Sequence, residues 1–378
     1  MQSVLENLNA RARLDPALFG DLAGWNLDDH GEAFSTFLIT CAAATGSNKP
    51  LRSGASQDAG LTRICNKALN LRKPITPAIA RTFFEKNFRP HKVTETGGVS
   101  SDSKGFVTGY YEPVVSGSLT RTAEFTEPLL ALPAGHVVIN AASKYPGIPQ
   151  HLTTARKHMD GKLRPYPERR AIQAGISNAI AQPIVWVRDA IEAFMIHVQG
   201  SAKIRLPNGE DIRIKYAGRN GHPYTSIGKI LAQHHNIPPS RVTMDFLKNW
   251  VRSAGQRPGS PGRELMNANK SYIFFQIDHE TAHNLGPIGG AGVNLTAKRS
   301  IAIDRNIWPY GLPFWIDAHL PWQSRHKSKF QRLMIAQDTG SAILGPARGD
   351  IFFGSGELAG SIAGAIRHPA TFFVLLPR

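Results

Sequence analysis

Met334-Ile-Ala-Gln-Asp338-Thr-Gly-Ser-Ala-Ile-Leu-Gly-Pro-Ala-Arg-Gly-Asp350-Ile-Phe-Phe-Gly354 sets two carboxylates inside short apolar runs, punctuated by Gly340, Gly345, Gly349 and Gly354. Leu333-Met-Ile-Ala reads as a buried strand. The residue after such a run sits at a strand end, where side chains point into a cleft. An Asp there has two readings. One is turn chemistry, because Asp and Gly both favour turns. The other is a carboxyl in an apolar setting, its pKa raised so that it serves as an acid at neutral pH. Spacing alone leaves both open.

The chain has 378 residues, which suits one large domain or two medium ones. Its 42% hydrophobic and 19% charged residues are ordinary for a packed globular protein. With 35 Gly, 26 Pro and many short β-branched runs, the composition points to a turn-rich, mainly β body. The formal net charge is +16 and the sequence pI about 10.0. That balance favours anionic partners: nucleic acid, anionic lipid or an acidic polymer such as cell-wall glycan. No zinc-finger spacing and no basic region with heptads appears, so nucleic acid is not expected. The N-terminus lacks a basic-then-apolar export signal, and no run is long enough to span a membrane. Leu38-Ile-Thr-Cys41 faintly suggests a lipobox, but Asp28, Asp29 and Glu32 precede it, which argues against an export signal. Cys41 and Cys65 match no metal motif. They read either as small buried hydrophobes or, in an oxidising compartment, as a tie between two helices.

The first 90 or so residues read as helical after a polar start over residues 1–20. Asp28-Asp29 caps a helix carrying Ala33, Phe34, Phe37, Leu38 and Cys41. Leu61 to Leu69 follows as a second, and Thr76-Pro77 opens a third with Ile79, Phe83, Phe84 and Phe88 inward. After Gly97-Gly98 the pattern turns β. Gly105-Phe-Val-Thr108-Gly-Tyr110-Tyr111-Glu112-Pro113 is a strand ending in a turn. Ala202–Leu206 and Ile212–Tyr216 alternate around Asn208-Gly209, a hairpin with a type I′ turn expected. Lys203, Arg205, Arg213 and Lys215 point outward there, as a solvated face or as a basic strip for an anionic polymer. His197-Val-Gln199-Gly-Ser201 and Tyr216-Ala-Gly-Arg-Asn220-Gly221-His222 are polar clusters expected at strand ends, where ligand-contacting loops gather. Residues 253–264 form a Gly/Pro-rich crossing near which a domain boundary is expected. Gly286-Pro-Ile-Gly-Gly-Ala-Gly lacks the setting of a phosphate loop.

Asp304, Asp338 and Asp350 each border an apolar strand pattern. Unpaired buried carboxylates are costly, so such residues are paired, hydrogen-bonded or functional. The histidines are scattered, so metal binding is not expected. No Gly-x-Ser-x-Gly elbow is present. Asp338 and Asp350 could form the two-carboxylate pair of a glycosidase.

Gly109-Tyr-Tyr-Glu-Pro113, Val198-Gln-Gly-Ser201, Tyr216-Ala-Gly-Arg-Asn-Gly-His222, Ala302-Ile-Asp304-Arg and Asp338-Thr-Gly to Gly354 occur in the order seen in MltA-type membrane-bound lytic murein transglycosylases. The last part resembles the 3D domain, named for three aspartates. The resemblance implies a mainly β protein with N-terminal helices: a double-psi β-barrel domain (1–111 with 263–378), an inserted smaller β-barrel for substrate (112–262) and a deep groove between them. It implies cleavage of peptidoglycan between N-acetylmuramic acid and N-acetylglucosamine, leaving a 1,6-anhydromuramoyl end, without cofactor or metal. Carried over residue by residue, Asp350 is the lone acid and base, with Asp338 and Asp304 as supporting carboxylates. Thr108, Tyr111, Gln199, Ser201, Asn220, Gly221 and Gly340 would bind sugar. A periplasmic, outer-membrane-associated monomer is implied, with cell-wall synthesis or division complexes as candidate partners. A periplasmic setting favours a Cys41–Cys65 disulfide. Three positions depart from the family pattern: Ala202 and Ser341 stand where Gly is common, and Gln276 where Arg is frequent. The competing readings are a two-carboxylate glycan hydrolase and a non-catalytic cell-wall or anionic-polymer binding protein.

Overall fold

The computed structural model describes residues 12–46, 50–55, 59–95, 105–139, 145–176, 181–238, 241–279 and 284–378. The Gly97-Gly98 turn and the first 11 residues lie outside them. By backbone contacts the chain divides into two units, Met1–Tyr111 with Ala282–Arg378, and Glu112–Thr281. The Gly/Pro-rich crossing at 253–264 therefore falls inside the second unit. No helix among the described residues is long and apolar enough to cross a membrane.

The first unit opens with a strand, β1 (Ala12–Pro16), inside the polar start. Helix α1 (His30–Thr45) starts at Asp29, whose side chain accepts the N–H groups of Gly31 and Glu32. Helices α2 (Ala59–Leu69) and α3 (Pro77–Asn87) follow. Thr76 caps α3, and Pro77 fills its first turn, where a missing N–H costs nothing. Phe34, Phe37, Phe83 and Phe84 meet in tilted and edge-to-face pairs that lock α1 onto α3. Ile79 is not among them: it is 41% exposed in the first turn, one position off the buried stripe of Ala80, Phe83 and Phe84. A disulfide joins Cys41 on α1 to Cys65 on α2.

The helical stretch ends earlier than its pattern predicted. Phe88 leaves α3 and begins β2 (Phe88–Glu95), which pairs with β1; β3 (Gly105–Glu112) comes next. Residues 88–95 look polar because β2 buries only Phe88, Pro90, Val93 and Thr94, leaving Arg89 and Glu95 exposed and His91 and Lys92 half-buried.

The second unit holds β4 (Val114–Ser118), β5 (Glu127–Leu130), β6 (His136–Val138), β7 (Thr154–Lys157), β8 (Leu163–Pro165), β9 (Pro183–Val187), β10 (Ser201–Arg205), β11 (Asp211–Arg219) and β12 (Ile273–Asp278). Six of these form one sheet in the order β12-β11-β10-β4-β9-β5, and a bridge between Ala131 and Phe275 joins its two edges. Its inner face is apolar, with Leu129, Val185, Ile204, Ile214 and Phe275 fully buried. Helices α4 (Ala190–Gln199), α5 (Ile227–His234), α6 (Met244–Ala254) and α7 (Pro261–Asn267) pack into a second apolar cluster.

The β10–β11 hairpin forms with the expected alternation, Ile204 lying opposite Ile212. Its turn differs. Gly209 is left-handed at φ 85°, but Asn208 is not, and Gly209 N–H donates to Leu206 O. A type I′ turn needs positive φ at both central residues, so this is the longer loop that ends in a left-handed glycine. The basic face of the hairpin is also not free. Arg213 is buried against Glu112, Lys215 meets Asp278 at 3.0 Å, and Arg205 pairs with Asp211. The pattern gave the outward side correctly but could not supply the partners, two of which lie 101 and 63 residues away.

The chain then returns to the first unit with β13 (Ser300–Ala302), β14 (Pro313–Leu320), β15 (Ser328–Asp338), β16 (Arg348–Ser355), α8 (Glu357–Ala365) and β17 (Arg367–Pro377). The order β17-β14-β15-β13-β16-β3, with β3 pairing back onto β17, is a closed six-stranded barrel. This mainly β architecture, a barrel plus a further β unit, is the fold class the resemblance implied. Arg299, fully buried, ties α1 to the barrel. Its guanidinium holds Asp28 in a bidentate pair at 2.8 and 2.9 Å, and donates to Glu32 and to Leu333 O.

Candidate active site

The alternation of two adjacent barrel strands builds the site. On β3, Gly105, Val107, Gly109 and Tyr111 turn to one side, and Phe106, Thr108 and Tyr110 to the other. Gly109 must be glycine for close approach: a Cβ there would stand 2.8 Å from Ala363 Cα on α8. Tyr111 is 6% exposed, with its ring over Gly360 of α8. So Tyr110, not Tyr111, lies with Thr108. On β16, Arg348, Asp350 and Phe352 share a face in the same way. The two rows meet. Arg348 stands 5.7 Å over the Phe106 ring, Thr108 bonds Asp350, and Tyr110 lies 5.3 Å from Phe352.

The central strand sets the spacing of the two carboxylates. Ala302 on β13 pairs with Asp338 of β15 on one side and with Asp350 of β16 on the other. Two strand spacings put their backbones roughly 10 Å apart.

Asp350 is half-buried, and its Oδ1 accepts the Thr108 hydroxyl hydrogen at 2.5 Å. Burial pushes the carboxyl up from the ordinary 3.8 to about 6. The Arg348 charge and the Thr108 hydrogen bond pull against this, and the Asp338 charge adds to the rise. Such a group holds a proton near neutrality and can also release it.

Asp338 is held differently. Its Oδ1 accepts the N–H groups of Gly290 at 2.7 Å and Thr339 at 2.8 Å, and its Oδ2 accepts the Tyr110 hydroxyl at 2.8 Å. Both oxygens are committed to donors. The glycine-dense loop at 286–292, which the sequence left without a role, supplies one of them. A Cβ at Gly290 would lie 2.7 Å from the Tyr310 hydroxyl and 3.3 Å from Asp338 Oδ1. Arg52 buttresses the same corner, donating to Thr339 O at 2.7 Å. Burial and the Asp338 charge push the Tyr110 phenol well up, so it remains a donor.

Asp304 is 2% exposed and works through backbone. Its carboxylate accepts Asn306 N–H at 3.0 Å and Gly345 N–H at 2.9 Å. Gly345 adopts φ 113°, so Asp304 pins the left-handed corner of the loop that joins Asp338 to Asp350. Gly340 opens that loop, its carbonyl accepting Ile343 N–H.

The other expected sugar-binding residues belong to the second unit. Gln199 closes α4 rather than a strand, and left-handed Gly200 caps that helix before Ser201 starts β10. Gln199 is half-buried and Ser201 is 7% exposed. Asn220 is wholly buried. Its amide donates to Pro167 O and Lys270 O, and its carbonyl oxygen accepts Tyr272 N–H. Gly221 is left-handed, with the Thr154 backbone 2.8 Å from where a Cβ would be. Both frame the end of β11. Of the family departures, Ala202 is fully buried in the apolar core, while Ser341 and Gln276 are exposed. Among the described residues no group of three or more His, Cys, Asp or Glu is placed to hold a metal ion.

Two family descriptions match the chain, "MltA specific insert domain" over residues 106–276 and "3D domain" over residues 299–376. The crystal structure of a membrane-bound lytic murein transglycosylase from Agrobacterium tumefaciens is 34% identical, with a TM-score of 0.84 over 97% of this chain and 98% of that one. This chain belongs to the MltA family of membrane-bound lytic murein transglycosylases. A crystal structure of MltA from Neisseria gonorrhoeae is similar at 29% identity and a TM-score of 0.76, covering 97% of this chain and 93% of that one. Membrane-bound lytic murein transglycosylase A of Escherichia coli (strain K12) is 29% identical over 298 residues, 77% of this chain and 71% of its own. Within the MltA frame, the 3D match covers β13–β16 and all but the last residue of β17, and with them Asp304, Asp338 and Asp350. The insert match begins on β3, just before Thr108.

Sequence reasoning missed Tyr110, Arg348 and Gly290. For the first two, period-2 alternation from Thr108 and Asp350 was the available signal. For Gly290, only the density of glycines hinted at a close backbone approach.

Proposed function

We propose that this chain is a peptidoglycan lytic transglycosylase that cleaves the β-1,4 bond between N-acetylmuramic acid and N-acetylglucosamine and leaves a 1,6-anhydromuramoyl end. The carrying observation is the contrast between the carboxylates. Asp350 is held by one hydrogen bond with its carboxyl raised to about 6, while both Asp338 oxygens are taken by donors. One residue is thus free to act as acid and base.

The chemistry balances with that residue alone. Protonated Asp350 gives its hydrogen to the glycosidic oxygen as the bond from C1 breaks, and N-acetylglucosamine leaves with a hydroxyl. The resulting carboxylate then takes the hydrogen of the muramoyl C6 hydroxyl as O6 bonds to C1. No water is added, and Asp350 ends protonated, ready for another cycle. Asp338 acts as a fixed negative charge that favours the protonated form of Asp350 and steadies positive charge at C1. Asp304 shapes the connecting loop.

In this reading Thr108 positions Asp350, and the inserted unit carries sugar contacts through Gln199 and Ser201, with Asn220 and Gly221 supporting them. The net charge of +16 suits an anionic wall polymer. The Cys41–Cys65 disulfide suits an oxidising, periplasmic setting, as does the membrane-bound description of the relatives. A two-carboxylate hydrolase would need Asp338 free to activate water, and its oxygens are occupied.

Mass spectrometry of peptidoglycan digests tests the proposal. Anhydromuramoyl products are expected from the native sequence, with a drop of about 1,000-fold for Asp350→Asn. Reducing-end products in their place would overturn it.

A further inference from the structure

We infer that Arg348 determines which oxygen of Asp350 carries the catalytic proton, acting as a positioning residue through Thr108. The inference rests on the reading of Asp350 as acid and base. A guanidinium has only donors. Arg348 Nη2 donates to Thr108 Oγ1 at 2.7 Å, and Thr108 in turn donates to Asp350 Oδ1 at 2.5 Å. These are the only partners of the Thr108 hydroxyl among the described residues. With Arg348 on one lone pair, the Thr108 hydrogen has a single acceptor, Asp350 Oδ1. Reversing the bond, with Oδ1 carrying the proton and donating to Thr108, would strand the Thr108 hydrogen. It would also bring a second proton onto an oxygen already polarised by a cation. The 2.5 Å distance is that of a charge-assisted O–H···O⁻ bond.

Oδ1 is therefore an acceptor in both protonation states. The acidic proton sits on Oδ2, which has no hydrogen-bond partner among the described residues. Oδ2 then performs both transfers, giving the proton to the glycosidic oxygen and taking it from the C6 hydroxyl. The guanidinium is itself well fixed. Its Nη1 donates to Gly349 O, and it lies 5.7 Å over the Phe106 ring. Its charge also opposes the effect of burial on Asp350, so it keeps the acid from being trapped in the protonated form.

The test reads Asp350 without substrate. In ¹³C-labelled protein the Asp350 carboxyl resonance, assigned by its loss in Asp350→Asn, is titrated in the native sequence, Arg348→Met, Thr108→Val and Thr108→Ser. Thermal melts establish that each variant is folded. Arg348→Met and Thr108→Val should each move the titration up by roughly one unit, while Thr108→Ser keeps the native value. At a pH where Asp350 is protonated, the infrared carbonyl stretch should rise in Thr108→Val, because the carbonyl oxygen loses its donor. A folded Arg348→Met that titrates like the native protein would overturn the inference. So would a Thr108→Ser that behaves like Thr108→Val, since that would reduce Thr108 to packing. Because no turnover is measured, failure of the transglycosylase reading appears separately, as absence of anhydro products from the native sequence.

Discussion

The Tyr110 hydroxyl reaches Asp338 Oδ2 at 2.8 Å across 228 positions of sequence. It completes a set of three donors around Asp338, two of them backbone N–H groups. Tyr110→Phe would leave one carboxylate oxygen without its partner while keeping the ring against Phe352. The expected result is a loss of about 1 kcal/mol in thermal stability and a tenfold or so loss of turnover. Undiminished activity in the folded variant would remove Tyr110 from the site.

Asp350→Asn should stabilise the protein in a pH-dependent way. The folded carboxyl is raised above its unfolded value. Its favourable contribution is thus complete below the unfolded value near 4, and is lost as pH rises through about 6. At pH 8 the ionised group costs on the order of 3 kcal/mol, and Asn removes that cost. Melts at pH 4 and pH 8 should differ accordingly, with the gain confined to the higher pH. An equal gain at both would contradict the assignment.

The proposed mechanism needs Asp350 protonated at the start of each cycle. The turnover rate should therefore be flat on the acid side of pH 6 and fall about tenfold per unit well above it. A pH–rate profile for anhydro-product release checks this, and a rate rising from pH 6 to pH 8 would exclude Asp350 as the acid.

Gly290→Ala tests the glycine loop. The added methyl would lie 2.7 Å from the Tyr310 hydroxyl and 3.1 Å from Thr339 Cγ2, so Asp338 or its neighbours must shift. A loss of about 1–3 kcal/mol in stability is expected, with reduced turnover. A neutral result would mean that the loop is free to move away.

Reducing the Cys41–Cys65 bond should cost about 3 kcal/mol, the usual effect for a loop near its 24-residue separation. Melting with and without reductant, compared with a Cys41→Ala, Cys65→Ala double variant, measures it.

Much of the fold could be read locally. The Asp29 and Thr76 caps, the α1 stripe and the β10–β11 alternation are short-range signals, and the structure follows them. What failed was long-range. Phe88 looked like the last inward residue of a helix because the strand identity of residues 88–95 depends on pairing with β17, some 280 positions on. Arg213 and Lys215 looked solvated because Glu112 and Asp278 come close only once the second unit is folded. For the site, apolar flanks marked Asp304, Asp338 and Asp350, but not which of them is free. That depends on backbone donors from Gly290, Thr339 and Gly345, which side-chain patterns cannot carry.

The closing strand β17 pairs with β2, β14 and β3 at once, and Thr108 meets Asp350 across 242 positions. Contacts of such high sequence separation form late, because the entropy of closing a long loop must be met first. During synthesis the inserted unit can reach its own fold while the barrel still lacks five of its six strands. The proposed proton-transfer centre cannot exist until residue 377 has left the ribosome and the barrel has closed. A chain cut short by even one strand is therefore expected to be inert toward glycan rather than partly active, which guards the cell against incomplete copies of a wall-cutting enzyme.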